Sequence, residues 1–268
     1  MILALLEFYY ITIKSRSNPQ VFFSISISVT FYILNFLYAI DYIHIKVLLL
    51  SIPLMLLIFI SEIYRYKKHP INNVGTTLLS IIYIGVPLSL IHYFVFNLNI
   101  NTKDIFQFPA SQVDQIDNIT DYMTFMSNNN EVKYSPNILM GYFIILWTFD
   151  SFAYLIGSLI GRFSLSKRIS AKKSWEGLIG GAIVTFIVAF FISKYIKDLY
   201  LTNWLIIAFL VVFMSTFGDL VESLFKRSVS IKDSGKILPG HGGILDRFDG
   251  VLLSLPMVLF YLEIVKFN

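Results

Sequence analysis

The 268-residue chain contains no cysteine. Its absence excludes disulfide frameworks, thiolate metal sites and cysteine nucleophiles, and leaves the redox compartment undetermined. Charge is scarce as well: 14% of the residues are Asp, Glu, Lys or Arg, against roughly 25% in ordinary soluble domains. No GxxxxGK[ST] segment is present, which excludes a P-loop. No Gly-x-Ser-x-Gly elbow is present either, which argues against a serine hydrolase of the α/β type. His241 has no second histidine at metal-ligand spacing, so zinc is not expected. No internal repeat or low-complexity tract breaks the chain into modules.

What fills the chain instead is apolar surface. Hydrophobic residues make up 56% of it, and the mean hydropathy is +0.70. Apolar runs near 20–40, 46–60, 75–97, 138–161, 177–194, 204–222 and 249–265 approach the roughly 20 residues that cross a hydrocarbon core. The expected fold is all-α: a polytopic transmembrane helical bundle of about seven to nine spans with cytoplasmic catalytic loops. The stretch from Met1 to Ile13 carries Glu7 and lacks a basic leader and a small-residue cleavage site. It reads as a short first span or a membrane-surface helix, not as a removable signal.

The net charge of +4 sits in short loops. Lys14 and Arg16, then Arg65, Lys67 and Lys68, then Arg162, Lys167, Arg168, Lys172 and Lys173, then the segment from Lys226 to Arg247 fall on alternate sides of consecutive spans. The positive-inside rule makes their shared side cytoplasmic, and nucleic-acid binding is not expected. The connection over roughly 98–137 holds Asp104, Asp114, Asp117, Asp121 and Glu131 against Lys103 and Lys133, as suits a solvated extracytoplasmic loop. The chain divides into an N-terminal transmembrane region, 1–137, and a C-terminal catalytic region, 138–268, within one integrated membrane domain.

Four stretches place ionisable groups at or beside membrane depth, where they are expensive and usually functional. Asp150 lies inside an apolar span and needs a partner or a cation. The loop Ser170-Ala-Lys172-Lys173-Ser-Trp-Glu-Gly177, with Gly180 and Gly181 behind it, has cations for phosphate oxygens; an ordinary positive-inside loop is the plainer reading. On a helix, Asp219, Glu222, Ser223 and Lys226 share one strip through i, i+3, i+4 and i+7 spacing, which a salt-bridged helix end would also explain. The fourth stretch runs from Ile231 to Gly250. Its glycines surround His241 and lead into Asp246 and Asp249, an i, i+3 pair at the mouth of a span. Glycine lets backbone amides approach phosphate. Two carboxylates with one from another helix suit Mg²⁺, a hard cation that keeps substrate phosphates in its shell. A phosphate or leaving-group contact is expected of His241.

These residues resemble a known family. Ser223-Leu-Phe-Lys-Arg227, Lys232-Asp-Ser-Gly and Leu238-Pro-Gly-His-Gly-Gly-Ile-Leu-Asp-Arg-Phe-Asp249 closely resemble the signature of phosphatidate cytidylyltransferases. Asp150-Ser-Phe-Ala-Tyr and Ser170-Ala-Lys-Lys-Ser-Trp-Glu-Gly look like that family's upstream motifs, so the resemblance covers roughly 138–255. Ala171 stands where the family usually has proline, and Phe152 where glycine is common. The resemblance implies transfer of a cytidylyl group from CTP to phosphatidate, giving CDP-diacylglycerol and diphosphate in phospholipid biosynthesis. It implies Mg²⁺, with room for a second, monovalent cation, and a homodimer in a bacterial inner membrane.

By the same resemblance, Asp219, Asp246, Asp249 and Lys226 are the catalytic set. Asp219 and Asp246 lead as metal ligands, followed by Asp249 and Asp150. Lys172, Lys173, Ser223, Arg227, Lys232, His241 and Arg247 contact substrate phosphate. CTP would enter from water and phosphatidate sideways from the inner leaflet. Two alternatives remain open at this point: a CTP-dependent polyprenol or dolichol kinase, whose C-terminal region is similar, and an ion-coupled transporter using the buried carboxylates.

Overall fold

The computed structural model describes residues 1–15, 17–98, 132–166, 169–231, 234–235 and 242–266. Arg16, Lys167, Arg168, Lys232, Lys236, His241 and loop residues 99–131 therefore lie outside the described residues.

The chain is an all-α polytopic membrane protein. Helix α1 (Ile2–Lys14) is short. Among the described residues, seven further helical segments are long and apolar enough to cross a membrane. They are α2 (Val21–Ala39), the span Ile45–Arg65 whose regular part is α3 (Ser51–Arg65), and α4 (Pro70–Val95). Then come α5 (Asn137–Ile160), α6 (Trp175–Tyr195), α7 (Leu201–Ser228) and α8 (Leu245–Lys266). Their outer faces carry large exposed apolar side chains such as Phe22, Ile63, Trp147, Leu159 and Phe260. Lipid is the solvent that such faces need, because it takes up apolar surface while helices satisfy their own backbone.

Helix α4 is not regular. Pro70–Ser80 is α-helical, Ile81–Gly85 is π-helical, and short helical turns follow at Val86–Ser89 and His92–Val95. The polar connections also hold structure. Strands β1 (Phe96–Leu98) and β2 (Val132–Tyr134) pair antiparallel. Strands β3 (Ser164–Ser166) and β4 (Ser170–Ser174) form a second antiparallel ribbon in the basic loop, which the sequence reading treats as irregular.

The main core joins α5 to α8, with Tyr142, Leu146, Trp204, Val211, Val251 and Leu255 buried together. Gly180 and Gly181, expected to serve the basic loop, instead serve this packing. A Cβ on Gly181 would lie 2.9 Å from the Ala153 Cβ, and one on Gly180 would lie 2.7 Å from Ile156 side-chain atoms. Small residues that let helix backbones meet are the usual basis of packing in lipid, where burial alone offers little drive. A second cluster ties the N-terminal region to this bundle: Leu5, Phe8 and Tyr9 of α1 pack with Tyr83 and Ile84 of α4 and with Leu245 and Leu252 of α8.

Candidate active site

Helix α7 has 28 residues, about 42 Å at 1.5 Å each, against a hydrocarbon core of about 30 Å. Its last turns, from Asp219 to Arg227, therefore overshoot the apolar layer and can carry charge. Helix α8 starts at the same end with Asp246 and Asp249 in its opening turns. The two helices pack closely at Gly218, where a Cβ would run into the Asp249 carbonyl oxygen. That approach sets the Asp219 and Asp249 carboxylates against one another.

Helix α6 brings the third component. Ser174 caps it by accepting from the Gly177 N–H at 3.1 Å, and Glu176 in its first turn accepts from the Phe163 N–H at 3.2 Å. The Ser-Trp-Glu-Gly segment is thus a helix cap that fixes the β-ribbon on the helix. The ribbon presents Lys173, whose ammonium pairs with the Asp219 carboxylate. Asp150 of α5 lies near both Lys173 and Asp219.

These groups line one cavity of about 1030 Å³, which also exposes Trp147, Tyr154, Leu165 and Phe248. Its described ionisable lining is Asp150, Asp219, Asp246 and Asp249 against Lys173 and Arg247. Four carboxylates with two cations, half enclosed by apolar walls, is a site that favours further positive charge.

Lys226 is a separate hub behind the cavity. Its ammonium stands 2.7 Å from Glu222 and 2.6 Å from Asp246. Asp246 uses its other oxygen to accept from the Ser234 N–H at 3.1 Å and the Gly243 N–H at 2.9 Å. The reach from Asp246 back to Gly243 is the geometry of a capping box, here closed by aspartate. Both Asp246 oxygens are therefore engaged in closing the loop onto α7. Asp249, by contrast, accepts only from its neighbour Gly250 N–H at 2.7 Å among the bonds described.

Of the site residues expected from sequence, Asp150, Lys173, Asp219, Asp246, Arg247 and Asp249 meet at the cavity, with Lys226 beside it. Ser223 lies half-buried one turn beyond Asp219 and does not line the cavity. Arg227 is exposed and donates to the Ile231 carbonyl at 3.2 Å, closing the end of α7 instead of facing the cavity. Lys232 and His241 lie outside the described residues, as does the Lys172 side chain.

The oxygen-rich lining suits a hard cation such as Mg²⁺. Among the described residues, no three carboxylates or imidazoles already converge as a cage. Mg²⁺ does not require one: it commonly takes one or two carboxylates and completes its shell with water and substrate phosphates. Among the described residues, the metal-ligating side chains that line the cavity are all carboxylates and hydroxyls, and the opposed pair Asp219 and Asp249 suits that demand.

Comparison with known proteins decides the family. Residues 1–265 match the model of the Cytidylyltransferase family. The chain belongs to that family. Curated proteins similar to it are named phosphatidate cytidylyltransferase. That of Rickettsia bellii is 42% identical over 130 residues, which is 46% of this chain and 56% of that protein. That of Haemophilus influenzae is 38% identical over 129 residues, 46% and 45% of the two chains. That of Thermotoga maritima is 44% identical over 126 residues, 45% and 47%. The chain thus spans about half the length of the curated relatives it matches.

Two groups near this family's site, Tyr83 and Glu7, were not expected there from sequence, and a third, Glu222, was expected only on the helix strip with Asp219, Ser223 and Lys226. Glu222 is 1% exposed, and its Oε1 has no hydrogen-bond partner among the described residues. The hydroxyl of Tyr83, on the π-helical turn of α4, is likewise buried without a partner. Glu7 of α1 is 4% exposed and bonds across to the start of α8. The signal for Glu7 was available: it is the only acidic residue in the first 40, set in an apolar helix. A carboxylate in such a run needs a partner.

Proposed function

We propose that this protein is an Mg²⁺-dependent phosphatidate cytidylyltransferase of phospholipid biosynthesis, working at the cytoplasmic face of a bacterial inner membrane. The observation that carries the reading is the Asp219–Asp249 pair, facing Lys173 and Asp150 in one cavity whose lining also holds Arg247, several hydroxyls such as Ser170 and Thr216, and a set of aromatic and aliphatic side chains. A nucleoside triphosphate needs the polar end of such a cavity, and a diacyl lipid needs the apolar one. The basic loops on the same side of the membrane as this end support the cytoplasmic orientation. The homodimer implied by the family resemblance belongs to the same reading.

In this reaction a phosphatidate phosphate oxygen attacks the α-phosphorus of CTP, and the bond to the β-phosphate oxygen breaks to release diphosphate. Phosphoryl chemistry of this kind depends on positioning and charge neutralisation and needs no protein nucleophile. Asp219 and Asp249 would hold Mg²⁺, which when bound neutralises the phosphate charge gathered at the α-phosphorus. Lys173 and Arg247 stand where they can contact phosphate oxygens and orient them in line. Asp150 adds negative charge on the Lys173 side, suited to a second, monovalent cation. Lys226, tied to Glu222 and Asp246, holds α7 against α8 and so fixes the spacing of the metal-holding pair. Lys172, Lys232 and His241 extend the phosphate contacts in this proposal.

The test is incubation of purified protein in detergent micelles with α-labelled CTP, Mg²⁺, phosphatidate and a polyprenol as the competing acceptor. The reading predicts a labelled CDP-lipid and unlabelled diphosphate. Free labelled CDP together with a phosphorylated prenol would mean a CTP-dependent lipid kinase instead. No nucleotide chemistry, with carboxylate-dependent cation flux in liposomes, would mean a transporter.

A further inference from the structure

The start of α8 is held by two carboxylates, and only one belongs to the loop motif. Asp246 closes its own first turn through the Gly243 N–H. Glu7, 238 residues away in sequence, accepts from the Leu245 N–H at 2.8 Å and from the Ser234 hydroxyl at 3.2 Å. The first amides of a helix have no partner inside it, and a carboxylate is the acceptor that the positive end of the helix favours.

The fit around Glu7 is close. A Cβ on Gly243 would lie 2.6 Å from Glu7 Oε2, and a Cβ on Gly235 would run into Glu7 Oε1. The two glycines leave room for this one side chain between the flanks of the loop. Phe8 and Tyr9 anchor the helix that carries it. Phe8 packs edge-on against Phe225 at 5.9 Å between ring centres, and the Tyr9 hydroxyl meets Ser80 at 2.5 Å. Helix α1 therefore cannot slide away from α8 without breaking contacts to both α4 and α7.

We infer that Glu7 is a positioning residue for the catalytic centre: it caps α8 from outside and thereby sets the direction in which Asp246 and Asp249 leave that helix. The inference rests on the cytidylyltransferase reading of the cavity. A carboxylate on α1 then acts through the Leu245 amide on Asp249, one turn further along α8. Its acceptor oxygen and its reach matter more than its charge. Glutamine keeps the acceptor oxygen and the length. Aspartate keeps the charge but is shorter by one methylene and withdraws from the Leu245 N–H.

The experiment compares wild type, Glu7→Gln, Glu7→Asp and Glu7→Ala in detergent. Each is measured for CDP-lipid formation per folded molecule, for the Mg²⁺ concentration giving half-maximal rate, and for amide hydrogen exchange in peptides covering 242–248. Glu7→Ala and Glu7→Asp are expected to lose at least tenfold in turnover, to need several-fold more Mg²⁺, and to exchange faster at the start of α8. Glu7→Gln should stay within about threefold of wild type on all three. A purely structural role for Glu7 would lower the folded yield and leave turnover and Mg²⁺ demand per folded molecule unchanged, and that result overturns the inference. So does loss of activity in Glu7→Gln equal to that in Glu7→Ala. If wild type makes no CDP-lipid, the cytidylyltransferase reading falls, while unchanged exchange in Glu7→Ala separately shows that Glu7 does not hold α8.

Discussion

Two polar clusters sit in the helices of this protein, and they are built on opposite plans. In the N-terminal region, Glu62 of α3 is buried with every oxygen used. Oε1 accepts from the Asn73 amide at 2.7 Å; Oε2 accepts from Gln20 at 2.7 Å and from Arg65 at 2.7 Å. Gln20 in turn donates to the Ile58 carbonyl and accepts from Ser61, and its own backbone N–H reaches Thr77. The network closes on itself. In the C-terminal region, Asp219 and Asp249 face each other with one ammonium between them and the ribbon, and a cavity of about 1030 Å³ opens in front. A buried carboxylate costs little when its partners are complete and a great deal when they are not. The satisfied cluster reads as a joint between α2, α3 and α4, and the unsatisfied one as a place made for something else to bind.

The largest effect that could break this contrast concerns the open pair. Asp219→Asn and Asp249→Asn keep size and shape while removing the charge proposed to hold the metal. Each should lower turnover a thousandfold or more, about 4 kcal/mol of transition-state stabilisation. For Asp249→Asn the melting temperature in detergent should hold or rise, because removing one of two opposed carboxylates relieves repulsion; Asp219→Asn also gives up the ion pair with Lys173. Turnover above a tenth of wild type at saturating Mg²⁺ would remove that residue from the metal site.

Next in size is the hub. Lys226→Met leaves Glu222 and Asp246 facing each other without their shared cation, and breaking a buried pair in this way costs about 3–5 kcal/mol. Low folded yield and loss of turnover are expected together. Adding Glu222→Gln should recover much of the yield, and thermal melts of the single and double variants would show it. No recovery would mean that Lys226 is not the link between the two carboxylates.

The smallest effect belongs to the closed cluster. Glu62→Gln replaces an acceptor of three hydrogen bonds with a group that must turn one donor toward other donors, at about 1–3 kcal/mol. The melting temperature should fall, and turnover per folded molecule should stay within about twofold. A tenfold loss of turnover with an unchanged melt would erase the distinction between the two clusters.

The contrast also shows what could be read from residues alone. Apolar runs located the spans, since Val21–Ala39 and Asn137–Ile160 follow their hydrophobic segments within a residue or two. They failed at the charged ends. Helix α7 continues to Ser228, beyond the apolar run ending near 222, because Glu222 and Lys226 pair at i, i+4 spacing and sustain the helix in a polar setting. Helix α8 likewise begins at Leu245, four residues before its apolar run near 249. The carboxylates of α7 and α8 were legible because charge is rare in such segments. The π-helical turn at Ile81–Gly85, the ribbons and the satisfied state of Glu62 were not. Each depends on partners that no local pattern names, as does the engagement of both Asp246 oxygens by Lys226, Ser234 and Gly243.

The most direct test of the account is binding of Mn²⁺, used as a paramagnetic stand-in for Mg²⁺, to the detergent-solubilised protein in the presence of CTP. Wild type and Glu62→Gln should each retain Mn²⁺ with the protein in equilibrium dialysis against Mn²⁺ and CTP, beyond the Mn²⁺ that CTP holds alone, while Asp249→Asn should bind at least a hundredfold more weakly. Equal Mn²⁺ binding by wild type and Asp249→Asn would contradict the claim that the open carboxylate pair is the metal site.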